Sequence, residues 1–129
     1  MRLLIDTHVF LWLETEPERV AKATRTILEN TDNALYLSVV SGWEIAIKHA
    51  IGKLTLPTDP PTYVPARVAR DGFRQLGVTM AHALAVWSLP AHHDDPFDRL
   101  LVAQAQVEGL TLVTSDERIM QYSVHSLRA

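Results

Sequence analysis

The sequence predicts an α/β protein built on a mainly parallel sheet, and three observations support this. Short runs of β-favouring residues alternate with segments of helical periodicity along the whole chain. The runs Leu3-Leu4-Ile5 and Leu110-Thr111-Leu112-Val113-Thr114 read as strands, the first of them apolar without alternation, as in a strand buried on both faces. Four acids, Asp6, Glu44, Asp98 and Asp116, stand where a strand ends or a helix begins. In an open parallel sheet the strand carboxyl ends share one edge, and ligands bind there.

In order, residues 2–6 read as a buried strand and 7–13 as a helix carrying Val9, Phe10, Trp12 and Leu13. Pro17 is suited to open a second helix with Val20, Ala23, Ile27 and Leu28 on one stripe, because proline at a first helical position gives up no hydrogen bond. Residues 35–40 form a second strand. A helix over 41–51 follows, with Trp43, Ile47 and Ile51 in register and Gly52 as its stop. Pro57, Pro60 and Pro61 make 53–63 a loop, leading into a helix from about residue 63 to 71.

Residues 73–78 form a weaker strand. Thr79 caps a helix through Met80, Ala83, Leu84 and Trp87, which Pro90 ends. Asp95 and Pro96 start a further helix with Leu100, Leu101, Ala103 and Val107, closed by Gly109. Residues 110–114 form a strand, 115–120 one or two helical turns, and 123–127 a last edge strand. No repeat, linker or low-complexity segment interrupts this pattern, so residues 1–129 are expected to form a single domain, a length sufficient for one core.

The chain contains no cysteine, which excludes disulfides, thiolate metal sites and cysteine nucleophiles and agrees with a reducing compartment. Without a visible signal peptide or spanning segment, a cytoplasmic location and no membrane partner are expected. The net charge is −3, from 12 Lys+Arg and 15 Asp+Glu. A passive nucleic-acid binder is usually basic, so this balance argues against one. It is compatible with a metal-dependent nuclease, since two divalent ions would bring the charge to roughly +1, with all of the gain in the pocket.

Each of the four acids has a capping role open to it. Ser41-Gly42-Trp43-Glu44 fits a capping box, and Asp95-Pro96-Phe97-Asp98 fits an N-cap, a first-position proline and an acid in the first turn. Asp116 stands in the first turn after Ser115, and Asp6 can cap the helix that follows it. Capping gives no reason for Asp6 to end a buried strand or for all four to share one edge. Carboxylates gathered there repel one another unless a cation lies between them. Mg²⁺ and Mn²⁺ favour oxygen ligands and keep several waters. Two such ions, about 3.5–4 Å apart, activate water and stabilise the leaving oxygen of a phosphodiester.

Other residues have plainer expectations. His92-His93-Asp94-Asp95 is expected to be a polar loop rather than a zinc site, with Asp95 as an N-cap. Lys48, one turn after Glu44, is expected to pair with it, a phosphate contact being the alternative. Arg99 is available to anchor the Asp-Pro-Phe-Asp turn or to touch an RNA backbone. Trp12, Trp43 and Trp87 suit core or dimer packing more than base stacking. Arg67, Arg70 and Arg74 concentrate positive charge on one segment, either near a groove or on a solvated face.

The motifs Leu-Ile-Asp6-Thr7-His8, Ser41-Gly42-Trp43-Glu44-Ile45-Ala46-Ile47-Lys48, Gly52-Lys53-Leu54-Thr55-Leu56-Pro57, Asp95-Pro96-Phe97-Asp98-Arg99-Leu100-Leu101 and Thr114-Ser115-Asp116 span nearly the whole chain. Together they resemble the PIN-domain ribonucleases, specifically VapC-type toxins of type II toxin–antitoxin pairs. The resemblance implies a three-layer α/β/α fold and an acidic catalytic cluster of Asp6, Glu44, Asp98 and Asp116. It implies Mg²⁺ (or Mn²⁺) bound directly by Asp6 and Asp98, with Thr114 or Ser115 in support; Arg99 and Lys48 stay as the candidate substrate contacts. It also implies an RNA substrate, a homodimer, and a VapB-type antitoxin that inhibits the toxin within a hetero-oligomer. Two other functions compete with this one. One is a non-enzymatic antitoxin-binding module acting in a repressor complex. The other is an aspartate-nucleophile phosphatase, which wants a second acid at position 8, where this chain has His8.

Overall fold

The computed structural model describes residues 1–129. Its centre is a five-stranded, wholly parallel sheet of order β3-β2-β1-β4-β5. The strands are β1 (Arg2–Ile5), β2 (Ala34–Ser38), β3 (Arg74–Leu76), β4 (Thr111–Thr114) and β5 (Ser126–Arg128). The helices are α1 (Thr7–Thr15), α2 (Lys22–Glu29), α3 (Val39–Ala50), α4 (Pro60–Arg70), α5 (Met80–Ala85), α6 (Pro96–Glu108) and α7 (Glu117–Met120). β1 is central because its three apolar side chains are buried on both faces of the sheet. Leu4 and Leu112 join one core with Leu101, Val102, Ala105 and Ile119. Leu3, Ile5 and Val113 join the other with Val9, Phe10, Leu37, Ile45 and Phe73. Two cores on opposite faces of one sheet make the three-layer α/β/α architecture expected from the motifs.

Strand order reverses beside β1: the chain steps outward through β2 and β3, then returns to the other side of β1 as β4. Such a reversal leaves a crevice at the strand carboxyl ends. Asp6 leaves β1 and Thr114 ends β4 at that point, and the Asp6 N–H still donates to the Val113 carbonyl (3.0 Å).

Several elements depart from the sequence pattern. Pro17 opens only a 3-10 turn (Pro17–Arg19), because Val20 becomes extended and plugs into the core; α2 starts afresh at Lys22. β2 ends at Ser38, whose hydroxyl caps α3 by accepting the Val40 N–H (3.0 Å), so Val39 and Val40 are helical and Ser41 is not a cap. α4 starts at Pro60, earlier than expected, because Asp59 caps it and both prolines occupy first-turn positions whose N–H groups would lack partners anyway. Gly109 closes α6 in the left-handed conformation (φ 66°), as its position suggested.

The expected apolar stripes of two helices point outward. Trp43 and Ile51 are exposed at 57% and 59%, while α3 buries Val40, Ser41, Glu44 and Ile45. Met80, Leu84 and Trp87 lie on the surface, and the residue α5 buries is His82. Trp43 and Trp87 are thus not core residues; Trp43 meets the Phe97 ring edge-on at 5.0 Å.

Candidate metal centre

Asp6 is buried, directly after β1. Thr114, the last residue of β4, donates its hydroxyl to Asp6 Oδ2 (2.9 Å) and accepts the Asp116 N–H (3.1 Å), joining the two strand ends. Glu44 is brought inside by the turn of α3 that buries Ser41, whose hydroxyl receives the Thr7 hydroxyl at 2.7 Å. Lys48, one helical turn on, donates to Glu44 Oε2. Asp98 lies in the first turn of α6, set by Asp95, which caps the helix through the Phe97 N–H (2.8 Å) and, at 3.4 Å, the Asp98 N–H. Asp95 therefore acts as scaffold, as anticipated.

Asp6, Glu44 and Asp98 share one feature. Each has one carboxylate oxygen held by the protein, and the other, Asp6 Oδ1, Glu44 Oε1 or Asp98 Oδ1, is buried without any partner. A buried, unpartnered carboxylate oxygen loses hydration and recovers nothing, so such groups are rare in folded proteins. Burial, reinforced by repulsion from Asp6, Asp95, Glu44 and Asp116, pushes the Asp98 carboxyl up to about 8. Burial likewise raises Asp6, with the negative charge of Glu44 adding to it and the Thr114 hydroxyl opposing it. An all-oxygen set of this kind, short of positive charge, fits a hard divalent cation.

Asp116 differs. It caps α7 through the Arg118 N–H (2.9 Å), and the Arg118 guanidinium holds both of its oxygens. Burial tends to raise this carboxyl, but the hydrogen bonds from Arg118 and His93 outweigh it and hold the group below the usual carboxylate range. The capping role available to Asp116 is thus realised, and its place is at the rim.

His93, expected to belong to a polar loop, is buried inside the cluster. Its Nε2 lies 2.9 Å from Asp98 Oδ2 and 3.1 Å from Asp116 Oδ2, and the three groups are close enough together to hold an ion. The sequence offered no signal to separate it from exposed His92: the His93 main chain is seated by the Tyr122 hydroxyl, which accepts its backbone N–H (2.9 Å), and that contact spans 29 residues. Arg99, a candidate substrate contact, is committed elsewhere. Its guanidinium donates to the carbonyls of Val86, Leu89, Pro90 and His93 and to Tyr122 Oη, anchoring the segment that leads to α6. Lys48 makes the expected pair with Glu44. Ser115 makes no side-chain hydrogen bond, whereas Thr114 makes two contacts. Arg67 and Arg70 lie on Glu14, away from the acids.

A parallel sheet whose switch point gathers buried, under-compensated carboxylates defines a class: α/β proteins with an acidic site suited to hard cations. A family model described as PIN domain matches residues 3–124. Ribonuclease VapC22 of Mycobacterium tuberculosis is 30% identical over 121 residues, which cover 93% of this chain and 91% of that one. Ribonuclease VapC16 of the same organism is 44% identical over 59 residues, covering 46% of this chain and 42% of the other. Among solved structures, VapBC2 from Rickettsia felis bound to a promoter DNA fragment superposes with a TM-score of 0.75 at 12% identity, covering 99% of this chain and 98% of that one. DNA-bound VapBC from Salmonella typhimurium gives 0.73 at 16% identity, with the same coverage. The chain belongs to the PIN domain family, as a VapC-type member.

Proposed function

We propose that this protein is the toxin of a toxin–antitoxin pair and hydrolyses RNA phosphodiester bonds with the help of a divalent cation, Mg²⁺ or Mn²⁺. The observation that carries this is the set of three buried carboxylate oxygens without partners, Asp6 Oδ1, Glu44 Oε1 and Asp98 Oδ1, at the switch point of the sheet. Asp6 and Asp98 would hold the ion, with Glu44 and Asp116 acting through water or a second ion. When bound, the ion supplies charge neutralisation and a more acidic water. The chain's own residues do the positioning. Thr114 aims Asp6, Lys48 holds one oxygen of Glu44, and the α6 cap orients Asp98. No side-chain nucleophile is required.

Kinship with proteins named as VapC ribonucleases and VapBC complexes supports the toxin role. It also supports a VapB-type antitoxin as partner; inhibition by that antitoxin, within a hetero-oligomer that contains a toxin homodimer, completes the proposal. Residues 1–129 act here as one PIN domain. The test is RNA cleavage by purified wild type, Asp6→Asn and Asp98→Asn proteins with Mg²⁺ and with EDTA. Wild type is expected to cleave only with the ion, and both variants to lose activity while still binding antitoxin. Undiminished cleavage by either variant would overturn the assignment.

A further inference from the structure

His93 has a role that neither the motifs nor the kinship assigns. Its Nδ1 accepts the backbone N–H of Asp95 at 3.1 Å. A ring nitrogen that accepts carries no proton, so the imidazole proton is on Nε2. That N–H is directed at two carboxylate oxygens at once, Asp98 Oδ2 (2.9 Å) and Asp116 Oδ2 (3.1 Å). With its Nε2 lone pair replaced by a proton, the ring is a donor to the acids and not a ligand for the ion beside them. The ring is buried and held at both nitrogens, and its backbone is fixed as well, the main-chain N–H donating to Tyr122 Oη and the carbonyl accepting from Arg99 at 3.4 Å.

We propose that His93 is a positioning residue of the acidic site: its Nε2–H, set by the Asp95 backbone, ties Asp98 to Asp116 and leaves Asp98 Oδ1 as the oxygen offered to the ion. The shared proton answers a specific difficulty. Two carboxylate oxygens of like charge approach the same point, and one donor between them offsets their repulsion without adding a full cation that would compete with the metal. Thr114 does the same for Asp6, so the oxygens left without partners are those not held by a neutral donor or by Lys48. Partners of this kind around a metal centre commonly change metal affinity or activity by about 10–100-fold.

The proposal rests on the acids being an ion site, and it is tested without RNA. Mn²⁺ binding to the purified full-length chain is measured for wild type, His93→Ala and His93→Gln, with folding checked by circular dichroism. His93→Ala is expected to weaken binding about 10–100-fold, and His93→Gln, whose amide N–H reaches in place of Nε2, to stay within about threefold of wild type. Equal loss in both variants, or no loss in His93→Ala, overturns the donor role. Should His93→Ala fail to fold, His93→Asn replaces it, because its amide is too short to reach the carboxylates. Nitrogen-15 NMR of the metal-free protein supplies an independent arm: Nε2 is expected to be protonated and Nδ1 bare, and the opposite tautomer overturns the proposal. Correctly ranked Mn²⁺ affinities without any RNA cleavage would uphold His93 and refute the ribonuclease assignment instead.

Discussion

Buried carboxylates lie at opposite edges of the same sheet, and the protein treats them differently. At the amino edge, beside a cavity of about 680 Å³, the Glu14 carboxyl is almost fully buried. Arg70 lies 3.2 Å away and Arg67 3.9 Å, and the Asp71 carboxyl stands beside Glu14. Burial and Asp71 push Glu14 up to about 7, with the two arginines opposing them. Glu14 and Asp71 there both have arginine partners. At the carboxyl edge three acids receive one lysine, one threonine and one histidine, and three oxygens receive nothing. Chains can compensate buried carboxylates when compensation is all that is needed. The deficit at the carboxyl edge is the one the proposed cation would offset.

The sharpest way to break this contrast is Asp98→Asn. RNA cleavage should fall by more than about 100-fold, beyond the usual cost of altering a group that merely supports a metal ligand. The same change should raise the melting temperature of the metal-free protein at pH 8 by a few degrees, because it removes a repelled charge. A loss of both activity and stability would show Asp98 to be an ordinary structural acid.

Next in size is a dependence on pH. With Asp98 near 8 when folded and near the ordinary carboxylate value when unfolded, the folded state holds the extra proton between about pH 4 and 8. Stability of the metal-free protein should therefore fall as pH rises through that window. Saturating Mg²⁺ should flatten the slope, as a calorimetric melting series in EDTA and in Mg²⁺ would reveal. Thr114→Val should have a smaller effect. Removing the hydroxyl on Asp6 while keeping the shape should slow cleavage about tenfold and cost about 1 kcal/mol in urea unfolding.

Smallest of all is Glu14→Gln at the amino edge. The amide mimics the protonated acid, so below about pH 4.5, where Glu14 is protonated in both the folded and unfolded states, melting should shift by no more than about 2 °C, and cleavage should be unchanged. As pH rises from about 4.5 to 7 wild type should lose stability relative to the variant, because the folded state keeps a Glu14 proton that the unfolded state has given up, and above pH 7 the difference should stay constant. A Glu14→Gln protein impaired in cleavage would mean that the two edges are coupled.

The fold was legible in the sequence because buried parallel strands announce themselves: β1 and β4 fall within a residue of their expected limits. Asp6 and the Asp95-Pro96 start of α6 were legible for the same reason, since strand ends and helix caps are local chemistry. The inner faces of α3 and α5 were not. Periodicity assigns apolar residues inward, yet Ser41 and Glu44 are buried while Trp43 is exposed, and His82 is buried while Leu84 is exposed. In α3 the polar residues turned inward face the acidic cluster, and in α5 His82 meets Gln104 and Glu108. His93 was missed for a related reason, because Tyr122 and Arg99 seat it through contacts invisible to local pattern.

The Thr114–Asp6 hydrogen bond spans 108 residues. At about 5–20 residues per second, a ribosome takes roughly 5–20 s to travel that distance. Throughout that interval the first acid of the site exists without the threonine that aims it, and β1 lacks its neighbour β4. A nascent or truncated chain that stops before β4 carries Asp6, Glu44 and even Asp98 but has no assembled centre. For the toxin proposed above, this topology delays completion of the site until residue 114 has been made and paired.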